Sequence, residues 1–222
     1  VCLVPGPLQT DLFASGPPAL AGLGQIERTW LDPASWVDLR RGWVQGGDEL
    51  FVMLRERARW REASRPMYGR VVDVPRLTAS VAEHADSLPS IVHNIGHSLS
   101  EHYQTSLMID LIAYYRDGND SVAWHADRID ATRAEHTSAI VSLGGPRRLL
   151  FRQKGGGPTR LALSLASGDL LVLGGAMQHR FEHCVPKARY APPRISLLAF
   201  GVFAEKTLNE TFRPALSQAV GS

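Results

Sequence analysis

The sequence predicts a mainly β architecture, a sandwich or jelly roll with helices packed on its outside. Three observations lead there. From Ser106 onward the chain breaks into short β-like runs: SLMIDLIAYY, SVAWH, TSAIVSLG, RRLLFRQ, TRLALSL, DLLVLG, RFEHCV and RISLLAF. Turn-forming clusters separate most of them, namely DGND, GGPR, KGGGPT, ASGD and KARYAPP. Helical periodicity stands out in two stretches, both before residue 106.

In order along the chain, residues 1–25 are rich in Gly and Pro and read as an irregular arm without a stable element. GDELFVMLRERARW places Leu50, Phe51, Leu54 and Ala58 on one helical face, with Asp48 as the expected N-cap. PMYGRVVDVPRLT reads as extended, and Pro75 favours an edge position because it cannot donate to a ladder. LPSIVHNIGHSLSEHY repeats Ile91, Ile95, Leu99 and Tyr103 near the helical period. The resulting division is an arm (1–25), a helical N-terminal extension (26–105), a β core (106–203) and a tail (204–222).

The chain has 222 residues, 44% of them hydrophobic and 21% charged, which suits one domain with a substantial core. A net charge of +2 permits a nucleic-acid partner without requiring one. The two cysteines, Cys2 and Cys184, stand far apart, so no disulfide framework is implied and a reducing cytoplasm is the expected compartment. No apolar run approaches the ~18 residues of a membrane span. VCLVPGPLQ lacks the regions of a secretory signal. The expectation is a cytoplasmic protein off the membrane, monomeric by default.

The candidate chemistry begins at SVAWHADRID. Alternation along an extended segment sends His125 and Asp127 to one face, where an imidazole and a carboxylate do not belong in an apolar core without partners. Such a pair is either a strand end entering a solvated loop or part of a facial triad that suits ferrous iron and leaves coordination positions open. A third ligand would come from a distant strand, and RFEHCVP offers His183. In PPRISLLAF, Arg194, Ser196, Leu198 and Phe200 share a face. An arginine opening an apolar strand is costly to bury unless it meets an anion, and its fork matches a carboxylate. The triad with Arg194 would accommodate a dicarboxylate, chelating iron at one end and clamped at the other. Alone, Arg194 also reads as a surface strand start.

The order of these motifs resembles that of the AlkB family of iron- and 2-oxoglutarate-dependent dioxygenases, in particular its bacterial AlkB-like members. The resemblance rests on MYGRVVDVPRLT (67–78), YYRDGNDSVAWHAD (114–127), AIVSLGGPRRLLFR (139–152), SGDLLVLGGAMQHRFEHCVP (167–186) and PPRIS (192–196). It implies a double-stranded β-helix core of the jelly-roll or cupin type at 106–203, with a nucleotide-recognition lid in the 26–105 extension. It also implies Fe(II), O2 and 2-oxoglutarate, and oxidative demethylation of N-alkylated bases in DNA or RNA that releases formaldehyde, succinate and CO2. Carried over by position, His125, Asp127 and His183 match the iron ligands, Arg194 matches the arginine on the distal carboxylate of 2-oxoglutarate, and Tyr115 matches a tyrosine bonding the same group. Ser196 lies within reach of that co-substrate. Trp60, Met67 and Tyr68 fall where the family carries its base-covering lid. The partner so implied is alkylated nucleic acid, single-stranded or with a flipped base.

The chain departs from the family at three places. Phe200 stands where a second arginine is usual, and Ala113 where an asparagine precedes the tyrosine by two. Ile129 replaces the acidic residue two beyond the metal aspartate, with Asp130 one step later. The ligand set is retained and the substrate-reading set is not. That leaves open an oxygenase of a small molecule or protein, or a binding module of low activity.

Several features carry competing readings. His93 and His97 are spaced i, i+4, but HNIGH lacks the glutamate of HExxH, so helix-surface histidines are expected. His136 and His179 lie near the metal segments, the latter as a rim residue. KGGGPTR lacks the Lys-Ser/Thr of a phosphate-binding loop and reads as a hairpin turn. Arg147, Arg148, Arg152, Lys154 and Arg160 around it are either a phosphate-tracking rim, with Arg148 toward substrate, or a solvated face. Cys184 reads as a buried strand residue.

Overall fold

The computed structural model describes residues 16–67, 70–84, 86–127 and 129–201, and from 63 to 74 the backbone path alone. The expected tail, most of the arm and Tyr68 lie outside the described residues. The chain begins with strands β1 (Ala19–Leu20), β2 (Glu27–Asp32), β3 (Ser35–Arg40) and β4 (Val44–Gln45), then helix α1 (Gly47–Arg57). Next come β5 (Arg61–Met67), β6 (Arg70–Ser80), α2 (Ile91–Tyr103), β7 (Leu107–Tyr115) and β8 (Val122–His125). The remainder is β9 (Ser138–Gly144), β10 (Arg147–Gln153), β11 (Thr159–Leu165), β12 (Leu170–Gly175), the short α3 (Met177–Arg180), β13 (Phe181–Val185) and β14 (Arg194–Gly201).

These strands form a jelly roll. The larger sheet runs β2-β3-β12-β9-β14-β7-β6-β5, and the smaller β11-β10-β13-β8. Between the sheets lies an apolar interior that includes Val37, Leu39, Ile140, Leu149, Phe151, Leu171, Leu173 and Phe181. The other face of the large sheet, with Ile109, Val141, Ile195 and Leu197, is covered by Leu50 and Leu54 of α1 and Ile91, Ile95 and Leu99 of α2. Having both faces covered explains why β9 and β12 are almost continuously buried and read as unbroken apolar runs. Along β14 the alternation is functional: Ile195, Leu197 and Ala199 pack under the helices, while Arg194, Ser196, Leu198 and Phe200 take the interior face. No helix among the described residues is long and apolar enough to cross a membrane.

All eight β-like runs after Ser106 become strands, and both predicted helices form on the predicted faces. Four expectations are corrected. Asp48 is not the N-cap of α1; Gly46 holds that position in the left-handed region at φ 63°, and Asp48 instead accepts a hydrogen bond from Ser167 Oγ at 2.9 Å. Pro75 is not on an edge strand, since β6 lies between β5 and β7. The register jumps from Glu62↔Leu77 to Ala63↔Val74, so Pro75 and Arg76 sit in a bulge where no N–H is demanded of proline. Within the arm, Ala19–Leu20 pairs with Val44–Gln45. Finally, the 26–105 segment is more than a helical extension: β2 and β3 close one side of the large sheet and β5 and β6 the other, so the sheet runs across residue 105 without a break.

Close packing at one glycine fixes the β3–β12 seam. Gly174 lies opposite Trp36, and a Cβ at 174 would come within 1.9 Å of the indole ring. Trp36 in turn stacks on Tyr103 with ring centroids 6.0 Å apart and carries the Arg28 guanidinium at 3.7 Å.

Candidate active site

On the small sheet, the antiparallel register pairs His183 of β13 with His125 at the end of β8, and Asp127 follows two residues later. The two imidazoles lie 4.3 Å apart, centroid to centroid. Asp127 Oδ1 is 3.8 Å from His125 Nε2 and 3.8 Å from His183 Nε2. One ligand atom from each residue falls within 4.8 Å of the others. An ion bonded to each at roughly 2.0–2.2 Å would require only a small contraction of this cluster.

The donor chemistry is prepared as well. His125 Nδ1 lies 2.9 Å from the Ala123 carbonyl, which can only accept. The proton is therefore on Nδ1, and the Nε2 lone pair is free to ligate. Burial pushes the His183 pKa down to about 4, so at neutral pH its imidazole is uncharged. Asp127 is held by Gln178 of α3, which donates from Nε2 to Oδ2 at 2.7 Å and accepts the Asp127 backbone N–H on Oε1 at 2.8 Å. Ser138 Oγ donates to the same Oδ2 at 3.3 Å. One carboxylate oxygen is thus anchored and the other turned to the imidazoles.

Opposite, on the interior face of the large sheet, Arg194 stands in register between Tyr115 of β7 and Gly144 of β9. It is 2% exposed, and its Nε donates to Ser142 Oγ at 2.9 Å. Its guanidinium carbon is 5.3 Å from the Tyr115 ring centroid. No carboxylate pairs with Arg194 among the described residues. Burial, with Arg147 and Arg76 adding repulsion, pushes its pKa down to about 10, so the group remains a cation at neutral pH. A buried guanidinium held only by hydroxyls, with no carboxylate to balance its charge among the described residues, is suited to receive an external anion. Arg147 is different: buried too, it is spent on the carbonyls of Asp117, Asp120 and Pro186. Ser196 and Ala113 are paired in the adjacent row, both buried.

The predicted substrate residues separate. Ile129 lines a cavity beside Asp127 together with Arg133, Ser138, Gln178 and Phe200. That cavity confirms that Phe200 faces the metal side. Asp130 serves its own loop, accepting from the Thr132 N–H and hydroxyl at 3.0 and 2.6 Å. Trp60 lies on the opposite side of the large sheet, packed on the helix-covered core against Tyr114 (centroids 5.2 Å) with its indole N–H on the Arg55 carbonyl. The base-stacking expectation for Trp60 is therefore corrected in favour of helix–sheet packing. Tyr114 and Tyr115 are neighbours in sequence but belong to opposite faces. Met67 pairs with Arg70 in the β5–β6 ladder. Arg148 is exposed on the outer face of the small sheet, away from the interior, whereas Arg152 is engaged by Glu182 at 2.6 Å and lies 4.1 Å over the Trp124 ring.

The other histidines take the plainer roles. His93 and His97 are exposed on α2, the latter 3.5 Å from Glu101. His136 and His179 both bond the Arg133 carbonyl and brace the 130–136 loop. Burial pushes the Cys184 thiol up, away from nucleophilic use.

Sequence reasoning missed Gln178, Ser138, Ser142 and Arg76 as site residues. A signal for the serines exists: they recur at even spacing on one face of an otherwise apolar strand, SAIVSLG. Gln178 and Arg76 carry no such mark.

Comparison with known proteins agrees with this geometry. A family model described as the 2OG-Fe(II) oxygenase superfamily matches residues 53–213. Alpha-ketoglutarate-dependent dioxygenase alkB homolog 3 of Mus musculus is 34% identical over 96 residues, 39% of this chain and 34% of that protein. The Bos taurus and Homo sapiens counterparts are 34% and 33% identical over 116 residues, 48% of this chain and 38% of theirs. The matched stretch is thus little more than a third of those relatives' length. The solved structure of OsALKBH1 superposes with a TM-score of 0.51 at 14% identity, covering 79% of this chain and 99% of that one, which supports the fold.

Proposed function

The chain belongs to the 2OG-Fe(II) oxygenase superfamily, and from that premise we propose that it removes N-alkyl groups oxidatively from bases in nucleic acid. It is an AlkB-like dioxygenase using Fe(II), 2-oxoglutarate and O2. In our reading His125, Asp127 and His183 hold the iron, and Arg194 with Tyr115 and Ser196 receives the distal end of the co-substrate. The observation that carries this is the facing arrangement of a His–Asp–His cluster on one sheet and, on the other, a buried arginine that no carboxylate pairs among the described residues. When bound, iron, 2-oxoglutarate and oxygen supply an oxidative decarboxylation to succinate and CO2, coupled to hydroxylation of a substrate C–H bond.

The residues of the chain supply position and surroundings. His125 offers Nε2 because its Nδ1 proton is committed to Ala123. Gln178 and Ser138 keep Asp127 from rotating, so its Oδ1 stays with the imidazoles. Phe151, 5.8 Å from the His183 ring, helps keep water from that side. An N-methyl group hydroxylated in such a site leaves as formaldehyde and restores the base. Support for a nucleic-acid substrate comes from the AlkB-type relatives and from exposed Lys154 and Arg160 around the β10–β11 hairpin.

The test is incubation of Fe(II)-loaded protein with 2-oxoglutarate and an N-methylated single-stranded oligonucleotide. Formaldehyde in step with succinate is expected; succinate without demethylation overturns the substrate assignment. Ile129 and Phe200 beside Asp127 favour a second reading, a small apolar molecule in place of the base. That reading gains if such a substrate, and no oligonucleotide, stimulates succinate formation.

A further inference from the structure

The bulge in β6 places Arg76 at the carboxylate end of the interior, and it is not among the groups assigned so far. The β6–β7 ladder pairs Leu77 with Tyr114, and one step further Arg76 reaches Tyr115, donating from Nη1 to the phenolic oxygen at 3.0 Å. Tyr115 is in turn the register partner of Arg194. Arg76, Tyr115 and Arg194 therefore stand in one row across three strands, on the face toward the His–Asp–His cluster. Among the described residues neither arginine is paired with a carboxylate, and the Nε of Arg76 is buried without an acceptor. A buried donor left unsatisfied is costly, more so when charged, so an anion that accepts from it is favoured.

We propose that Arg76 is the second cation of the co-substrate site, acting with Tyr115 and Arg194 on the distal carboxylate of 2-oxoglutarate. Arg76 has two parts in this. Its Nη1 occupies the phenolic oxygen as an acceptor, which leaves the Tyr115 hydroxyl hydrogen to be donated to the carboxylate. Its Nε supplies a further charge-assisted donor at the same end of the ligand. The bulge is what turns the arginine inward, a use of bulges common beside active sites. The inference rests on the iron and 2-oxoglutarate site proposed above.

The experiment is calorimetric titration of Mn(II)-loaded protein with 2-oxoglutarate and with 2-oxopentanoate, which has the same carbon chain and a methyl group in place of the distal carboxylate. Wild type, Arg76→Gln, Arg76→Lys, Tyr115→Phe and Arg194→Ala are compared. Arg76→Gln is expected to bind 2-oxoglutarate about tenfold or more weakly, as for loss of one charge-assisted bond, with Arg76→Lys between it and wild type. Its affinity for 2-oxopentanoate is expected to equal that of wild type. Combined with Tyr115→Phe, it is expected to lose less than the product of the two single losses, because the two side chains act through one hydroxyl. Unchanged 2-oxoglutarate affinity in Arg76→Gln, or equal weakening toward both acids, overturns the role of Arg76 while Arg194→Ala still confirms the site. Failure of wild type to bind 2-oxoglutarate overturns the site itself.

Discussion

Gln178 grips Asp127 at two points, its amide nitrogen on the carboxylate and its amide oxygen on the backbone N–H of the same residue. A glutamine in a four-residue helical turn thereby sets the rotamer of the aspartate between the two histidines. Gln178→Leu keeps the bulk and removes both bonds. Iron or manganese affinity is expected to fall roughly 10–100-fold, as for loss of an outer partner of a metal ligand. Metal titration followed by calorimetry reads this directly; wild-type affinity in the variant would show that the clamp has no part in binding.

Arg194 is expected to trade stability for function. A buried cation without a carboxylate partner among the described residues destabilises the ligand-free fold, and an apolar residue of similar length removes that cost. Arg194→Met is expected to raise the stability of the protein without ligands by about 1–3 kcal/mol while eliminating 2-oxoglutarate binding. Thermal melts with and without the co-substrate test both halves. A lower melting temperature without ligand would mean that the bond to Ser142 outweighs the burial of charge.

Gly174 has no room for a methyl group. Gly174→Ala pushes a Cβ into the Trp36 ring and forces β3 away from β12. A loss of about 1–3 kcal/mol in urea unfolding is expected, as for overpacking at a tight core contact. The stacked Trp36 and Tyr103 are expected to lose their fixed geometry in near-ultraviolet circular dichroism. Full stability in the variant would contradict the close approach.

Asp110 gives a pH signature. It is the extra residue where the β7–β14 register shifts between Leu198 and Ala199, and among the described residues its side chain has no hydrogen-bond or ion-pair partner. Burial raises its pKa, so the folded chain holds this proton more tightly than the unfolded chain. Unfolding then releases a proton as the pH rises through and above the ordinary carboxylate range, and the contribution to stability is lost in that direction. Asp110→Asn is accordingly expected to melt higher than wild type at pH 7 and at the same temperature at pH 3. Identical melting at both pH values would show that the carboxylate is well solvated.

How much of this was legible depended on whether a residue's role is local. The eight strands after Ser106 were readable because apolar runs of strand length are bounded by turn clusters, and the covered helix faces because Ile91, Ile95 and Leu99 repeat at helical spacing. The His125–Asp127 pair was visible through period-two alternation, and Arg194 through the cost of burying its charge. β2 and β3 were not visible, because ERTWLD lies exposed on the outer edge and its polar pattern resembles a loop. Trp60 was legible as an aromatic near the expected lid but not by side, since one residue of register separates Tyr114 on the helix face from Tyr115 on the interior. Arg76 depends on a bulge and Gln178 on a single turn. Their partners, Tyr115 and Asp127, lie 39 and 51 positions away in sequence, and no local pattern encodes that meeting.

β14 is the last described strand in the sequence, yet it lies in the middle of the large sheet, between β9 and β7. During vectorial synthesis on the ribosome, the earlier strands therefore emerge as two sheet fragments with a strand-wide gap between them. The gap exposes one ladder edge on each side and apolar surface on both faces until RISLLAFG arrives to fill it. The same insertion that joins the fragments delivers Arg194 opposite the histidines. Assembly of the reaction centre and closure of the sheet are thus a single late event, and a nascent chain stalled before residue 194 would be both inactive and a target for chaperones.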